Sequence, residues 1–269
     1  MAAEPEKKDK RRAALMAIVE ERGYITLSEV AAALGVSAQT IRRDMTELEK
    51  LGRVKRTHGG ITFTGALDQR AWHQRQRSQT VEKKVIAEQI ADLVTDGATV
   101  FLDIGTTCEE VAVALLARRN LKIVTYSIRS AAIFDNREDF TVAIPGGIVR
   151  HIDGAILGAG GDDFISQFRF DYAILAVSGI DMHGTLRDDD EFEVLRVRTA
   201  MAHARQILLA LTTDKIGTGG LVKLCDLGEI DVVVTNDQLP SPILSIAMEN
   251  NVEVIPVSPL DPMGGSAHK

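Results

Sequence analysis

The apolar residues of the first fifty positions recur three or four residues apart, a spacing that predicts short amphipathic helices. Leu15, Ile18 and Val19 mark a first helix that ends near Gly23. A short strand at residues 24–25 and an Ala-rich helix at residues 27–34 are predicted to follow.

A third helix is predicted to begin at Ala38, after the tight connector at residues 35–36. Ser37 is suited to cap it, because a serine hydroxyl can accept a hydrogen bond from a first-turn N–H group. Ile41, Met45 and Leu48 recur at i, i+4 and i+7, so they are expected to form one buried stripe.

The opposite side of this third helix is polar and basic. Arg can bond guanine or phosphate and Gln can bond adenine, so such a face suits a DNA groove. A solvated helix face with two surface arginines is the alternative interpretation. The residues predicted to meet DNA here are Ser37, Gln39, Thr40, Arg42 and Arg43.

Residues 54–63 predict a basic hairpin around Gly59 and Gly60, which would bring Lys55, Arg56 and His58 near the phosphate backbone. An ordinary surface hairpin is the alternative. Two short helices joined by a turn, with a basic outer face and a hairpin behind them, are the arrangement of a winged helix-turn-helix. The pattern therefore favours DNA binding.

From residue 82 onward apolar strands alternate with helices, which predicts an α/β domain with a mostly parallel sheet. The predicted strands are residues 99–103, 122–125, 140–144, 172–176, 207–210, 231–235 and 253–255. The predicted helices include residues 84–94, 109–117, 193–204 and 242–250. Ligands of such domains bind outside the carboxyl ends of the strands, so the site is expected at that edge.

Gly105, Thr106 and Thr107 stand between one of these strands and a helix predicted to begin near Glu109. N–H groups at a helix N-terminus, two hydroxyls and a Gly that allows close approach suit a phosphate. A helix simply capped by Thr is the alternative. The pattern of a Walker loop is missing.

Further polar and glycine residues follow other strands. Lys215 can meet a phosphate as a point charge, whereas residues 188–191 are more simply interpreted as a solvated acidic turn at a helix N-terminus. The remaining candidate effector-binding residues are Gly146, Gly147, Arg150, Asp181 and Glu193.

Charge is unevenly distributed along the 269 residues. Residues 1–62 carry +3, residues 63–80 carry +2 and residues 81–269 carry −12, for a net charge of −7. The basic end therefore coincides with the predicted DNA-binding region.

The charged N-terminus does not resemble a signal peptide, and no apolar run is long enough for a membrane span. Cys108 and Cys225 lie far apart without a metal-ligand pattern, so we expect reduced thiols, a cytoplasmic location and no metal or cofactor.

Two signatures carry a resemblance to a known family. Residues 36–44, VSAQTIRRD, followed by His58-Gly59-Gly60, resemble the N-terminal signature of the DeoR family of bacterial transcriptional regulators. Residues 101–107, 162–169 and 177–181 extend the resemblance over nearly the whole chain. The resemblance implies a sensor domain with a phosphosugar-isomerase-like fold and a phosphorylated effector, glycerol 3-phosphate first, with control of glycerol-use genes.

The expected organisation is a winged helix-turn-helix at residues 1–62, a linker at 63–80, a sensor domain at 81–258 and a tail at 259–269. The expected partners are operator DNA, the effector and further copies of the chain, because one recognition helix gives little specificity alone. No catalytic residue is assigned.

A repressor that senses another sugar phosphate is one open alternative, because Tyr126 and Thr212 depart from the family pattern at positions expected near the ligand. A sugar-phosphate isomerase fused to a DNA-binding module is the other alternative, with Asp181 or Glu193 as a possible base.

Overall fold

The computed structural model describes residues 3–22, 24–50, 54–57, 60–63, 72, 74–158 and 160–258. The chain divides into two compact units, Met1–Gln74 and Arg75–Lys269. The division lies inside the segment predicted to be a linker. In the described part of the chain, no helix combines the length and the apolar character needed to cross a membrane.

The first unit is a small helical bundle with a three-stranded sheet. Its elements are α1 (Ala3–Arg22), β1 (Tyr24–Thr26), α2 (Leu27–Ala33), α3 (Ala38–Lys50), β2 (Val54–Thr57) and β3 (Gly60–Phe63). β3 pairs antiparallel with both β1 and β2, so the predicted hairpin is confirmed. The core includes Leu15 and Val19 of α1, Val30 of α2, and Ile41 and Met45 of α3.

The second unit is built on a sheet of seven parallel strands. These are β4 (Thr99–Leu102), β5 (Lys122–Thr125), β6 (Thr141–Ala143), β9 (Phe170–Leu175), β12 (Ala204–Leu211), β14 (Val232–Thr235) and β15 (Glu253–Pro256). Their spatial order is β15-β14-β12-β9-β4-β5-β6. The prediction of an α/β domain with a parallel sheet is therefore confirmed.

Helices cover both faces of this sheet. They are α4 (Thr80–Leu93), α5 (Thr106–Leu115), α6 (Ile128–Ile133), α7 (Gly161–Ser166), α8 (Glu191–Ala202) and α9 (Ser241–Glu249). Along β4, Val100 and Leu102 belong to the core cluster that includes α4 and α5. Phe101 between them belongs to the cluster that includes α8 and α9. Successive strand residues point to opposite faces, so each strand supplies both cores.

Two small antiparallel sheets were absent from the sequence prediction. β7 (Ile148–Val149) pairs with β8 (Ile156–Leu157). β10 (Gly179–Ile180), β11 (Thr185–Asp188) and β13 (Val222–Asp226) form the other sheet. Strands of two to five residues carry too little alternation to be recognised by periodicity.

The order of the parallel strands creates a switch point. The chain runs outward from β4 through β5 to β6, and β9 then lies on the other side of β4. The connections that leave β4 and β9 therefore diverge at their carboxyl ends, which is where ligands bind in open α/β sheets.

Candidate functional site

Helix α3 begins as its sequence predicts. The Thr40 N–H group donates to the Ser37 hydroxyl over 3.2 Å, so Ser37 caps the helix. The two hydroxyls, Ser37 Oγ and Thr40 Oγ1, lie 2.9 Å apart. Gly35 has a φ of +62°, a left-handed conformation that Gly adopts without a steric penalty, and it turns the chain from α2 into α3.

Among the residues of α3 whose burial the structure describes, the exposed ones are polar or charged apart from Ala38. Gln39, Arg42 and Arg43 are exposed, while Ile41 and Met45 are fully buried. Periodicity alone predicts this division correctly. The exposed side presents an amide and two guanidiniums on one helix face, which is the chemistry of base and phosphate contacts.

Asp44 was missed by the sequence reasoning, although it lies on the buried stripe between Ile41 and Leu48. Its carboxylate is 1% exposed. It accepts hydrogen bonds from Arg11 Nε over 2.6 Å and from Arg12 Nε over 3.3 Å. This ion-pair cluster ties α3 to α1 and holds the outer face of α3 in one orientation.

The basic hairpin is described in its backbone. Lys55 and Arg56 lie on β2, paired with Thr62 and Ile61 of β3. His58 lies outside the described residues. The assignment of these three residues to the phosphate backbone stays a prediction.

In the second unit, the switch point between β4 and β9 is held by Asp103. The Asp103 N–H group donates to the Ile174 carbonyl over 3.0 Å, and Asp103 Oδ2 accepts from the Ala176 N–H group over 3.4 Å. Asp103 Oδ1 accepts from the Ile104 N–H group over 2.8 Å. The carboxylate thus joins the ends of both strands beside the crevice.

Tyr126 completes this cluster. It is fully buried, and its hydroxyl donates to Asp103 Oδ1 over 2.6 Å. Burial raises the pKa of Asp103 to about 7, while the hydrogen bonds from Tyr126 and from the Ile104 amide oppose the shift. Tyr126 was expected near the ligand, and the structure places it beneath the end of β5, stacked on Phe101.

Helix α5 begins three residues earlier than predicted, at Thr106 and not near Glu109. Thr106 and Thr107 therefore lie in its first turn and not in a loop before it. Gly105 precedes them with a φ of +130°, which strongly favours Gly. Among the described residues, no side chain caps this helix. Because α5 follows β4 directly, its N-terminus lies at the carboxyl edge of the sheet, which is the arrangement of an anion site at a helix N-terminus.

Arg150 lies at the centre of a carboxylate cluster. Its guanidinium contacts Asp190 Oδ2 over 2.9 Å and Asp153 Oδ1 over 2.9 Å, and it also bonds Glu193. Burial lowers the pKa of Arg150, but Asp153 and Glu193 raise it further, so the net shift is upward. The structure thus brings together Arg150 and Glu193, two predicted effector residues that are 43 positions apart.

The acidic run at residues 188–191 is not simply a solvated turn. Asp190 caps α8 through the Phe192 N–H group, as its place at a helix N-terminus predicts. Asp188, in contrast, ends β11, and burial together with the charges of Asp189 and Asp103 raises its pKa to about 7. The pKa of Glu193 is raised to about 8 by burial and by Asp188, against the effect of Arg150. Such carboxyl groups accept hydrogen bonds from ligand hydroxyls.

The remaining predicted residues lie on loops around this edge. Asp181 accepts hydrogen bonds from the His183 and Thr185 N–H groups, so it shapes the turn between β10 and β11. Gly147 approaches the Leu157 carbonyl so closely that a side chain would collide with it. Gly146 is exposed beside Gly147.

Lys215 ends a short 3-10 turn, Thr213–Lys215, beyond the carboxyl end of β12. The Gly217 N–H group donates to the Ile180 carbonyl over 2.8 Å, which brings the segment after this turn beside β10. Within the described residues, no group of three His, Cys, Asp or Glu side chains is arranged to hold a metal ion.

Comparison with known proteins decides the family. Residues 11–65 match the DeoR-like helix-turn-helix domain, and residues 78–237 match the DeoR C terminal sensor domain. The chain belongs to the DeoR family. The helix-turn-helix match implies DNA binding for this DeoR-family chain, and the sensor match implies a small-molecule effector.

Two relatives from Escherichia coli K12 cover nearly the whole DeoR-family chain. The HTH-type transcriptional repressor CsqR is 38% identical over 90% of this chain and 92% of its own. The glycerol-3-phosphate regulon repressor is 36% identical over 92% of this chain and 98% of its own. Both names are those of transcriptional repressors, which indicates a regulator and not an enzyme.

A solved structure shows a distant likeness. Ribose 5 phosphate isomerase A from Neisseria gonorrhoeae is 13% identical, with a TM-score of 0.37 over 50% of this chain and 52% of its own. A likeness at this level carries no argument about the activity of the DeoR-family chain.

Proposed function

We propose that this repressor binds operator DNA through the outer face of α3 and is released when a phosphorylated metabolite binds at the carboxyl edge of its parallel sheet. Glycerol 3-phosphate is the effector we place first, because a relative that covers 92% of this chain is named for that regulon. Release requires that the effector bind the conformation of low operator affinity better than the operator-binding conformation.

The observation that carries the sensor half is the start of α5. An uncapped helix N-terminus beside a switch point presents several N–H groups and a positive end of the helix dipole to an anion. Lys215 follows the carboxyl end of β12 at the same edge of the sheet, and its charge lowers the pKa of Lys83 on α4. A phosphate is therefore expected between the first turn of α5 and Lys215.

The hydroxyl groups of the effector are expected to face Asp188 and Glu193. Both carboxyl groups have raised pKa values because burial disfavours their charged forms. A hydroxyl donor stabilises the charged carboxylate without adding negative charge. A polyol phosphate combines such donors with the anion, and the carboxylates are expected to disfavour ligands with a second acidic group.

The proposed effector site is tested by thermal-shift measurements of the full chain with glycerol 3-phosphate and with compounds that each lack one part of it. Glycerol 3-phosphate is expected to raise the melting temperature of the sensor unit, while glycerol and inorganic phosphate, each lacking one half of the ligand, have smaller effects. A larger shift with another sugar phosphate than with glycerol 3-phosphate would retain the repressor and reassign its effector. The absence of a shift with every phosphorylated compound would contradict the proposed site.

The proposed DNA contact is tested by substitution of the two exposed arginines of α3. Arg42→Ala and Arg43→Ala are each expected to weaken binding to a duplex selected by the wild-type chain, by about 1–3 kcal/mol where that Arg contacts a base. Lys84→Ala, which removes an exposed cation from α4 in the other unit, is the control. Wild-type affinity in both arginine variants, measured by fluorescence anisotropy, would remove the recognition-helix assignment.

A further inference from the structure

The segment that leads from the first unit into α4 is held by a buried lysine. The Lys83 ammonium donates to the Ser78 carbonyl over 2.8 Å and also to the Arg75 carbonyl. Lys83 is only 5% exposed, although it lies in the first turn of α4. Residues 75–79 follow directly after the boundary between the two compact units. Lys83 therefore fastens the first residues that the sensor unit contributes to the connection.

The pKa of the Lys83 ammonium also depends on charged residues near the expected position of the phosphate. Burial and the nearby charge of Lys215 lower the pKa of Lys83, while Asp214 and Glu110 raise it and Arg75 lowers it. Two lysines placed close together repel each other, and an anion between Lys215 and α5 would stabilise both. Lys83 thus bonds the connecting segment and is near enough to Lys215, Asp214 and Glu110 for their charges to act on its ammonium.

The connecting segment makes a second contact with the sensor unit, at the start of α5. Gln76 Nε2 lies 3.5 Å from Glu109 Oε2, so the connecting segment also meets the first turn of α5. Gln79, which precedes α4, has a φ of +49°, a backbone conformation that residues other than Gly adopt at a cost in free energy. The segment is therefore in a geometry that its contacts with Lys83 and Glu109 help to maintain.

We propose that Lys83 is a positioning residue that couples the effector site to the DNA-binding unit. The proposal rests on the proposed function and specifies how its two halves communicate. A phosphate bound beside Lys215 attracts the Lys83 ammonium and weakens its hold on the Arg75 and Ser78 carbonyls. The segment 75–79 is released, and with it the covalent connection to the DNA-binding unit changes conformation.

The test compares Lys83→Gln with Lys84→Gln. Gln keeps an N–H donor for the backbone carbonyls but carries no charge, and Lys84 is the exposed neighbour on the same helix. Glycerol 3-phosphate is expected to weaken binding of the wild-type chain and Lys84→Gln to the selected duplex by about tenfold or more, and that of Lys83→Gln by less than about twofold. Calorimetry is expected to show that Lys83→Gln still binds glycerol 3-phosphate. A full effector response in Lys83→Gln would overturn the proposal.

A second arm needs no ligand. Lys215→Glu places a fixed negative charge where the anion is expected, so it should weaken duplex binding in the absence of any effector. In the double variant with Lys83→Gln this weakening should disappear. An undiminished effect of Lys215→Glu in the double variant would overturn the coupling role of Lys83. If the double variant behaves as expected but glycerol 3-phosphate changes duplex binding in no variant, the coupling is supported and glycerol 3-phosphate is refuted as the effector. If Lys83→Gln fails to fold, Lys83→Met replaces it in both arms.

Discussion

Asp44→Asn is expected to destabilise the DNA-binding unit by about 2–3 kcal/mol, because it removes one side of a largely buried ion-pair cluster. The Asp44 carboxylate is 1% exposed and contacts both Arg11 and Arg12, whose side chains are 22% and 18% exposed. Arg12 Nη2 is also buried without a hydrogen-bond partner among the described residues. Loss of the carboxylate would leave two partly buried cations without their counter-charge.

The measurement for Asp44 is differential scanning calorimetry of the full chain, with the earlier and later transitions assigned to the two units. Only the transition of the first unit is expected to move. Arg11→Gln and the double variant complete a double-mutant cycle, in which the combined loss should be smaller than the sum of the single losses. Additive losses would mean that Asp44 and Arg11 act independently, against the ion-pair account.

Thr106→Pro is expected to weaken binding of glycerol 3-phosphate about 10- to 100-fold, by removing a charge-assisted hydrogen bond worth about 1.5–3 kcal/mol. Thr106 is the first residue of α5, where an N–H group has no partner inside the helix and Pro is well tolerated. Gly105 has a ψ of 159°, which is the extended value that a residue before Pro prefers. The substitution therefore removes the N–H donor together with the side-chain hydroxyl and leaves the helix in place.

Thr106→Ala is the matched control for this variant, since it removes the hydroxyl and keeps the N–H group. Its expected loss is smaller, because only the hydroxyl contact is lost, and the additional loss in Thr106→Pro measures the N–H contact. Calorimetric titration of both variants separates the two contributions. Equal affinities of Thr106→Pro and the wild-type chain would show that the anion does not lie at the start of α5.

The parallel sheet could be predicted from sequence because its strands are short apolar runs separated by helical periods. β5 and β14 were predicted to within one residue at each end, since buried strands on both faces leave a continuous apolar run. The start of α5 was placed too late, because Thr106 and Thr107 were interpreted as a loop and not as a first turn. Residues with hydroxyl groups are common in both settings.

The candidate sites divide along similar lines. Exposure of Arg42 and Arg43 follows from local periodicity. Asp44, three residues after Ile41, falls on the buried stripe by the same spacing, but it was not assigned there from the sequence, so its ion pairs were missed. The contact between Arg150 and Glu193 depends on how a hairpin packs against α8, which no local pattern contains. The burial of Tyr126 under the end of β5 is also a tertiary effect, and it lets the Tyr126 hydroxyl support Asp103.

Release of operator DNA by the metabolite is tested most directly by the affinity of the full chain for its selected duplex, measured by fluorescence anisotropy with and without glycerol 3-phosphate. Tight binding is expected without the metabolite, and the dissociation constant is expected to increase about tenfold or more at saturation, with glycerol ineffective at the same concentration. Binding that is unchanged by glycerol 3-phosphate and by every other phosphorylated metabolite would contradict a repressor released at the edge of this sheet.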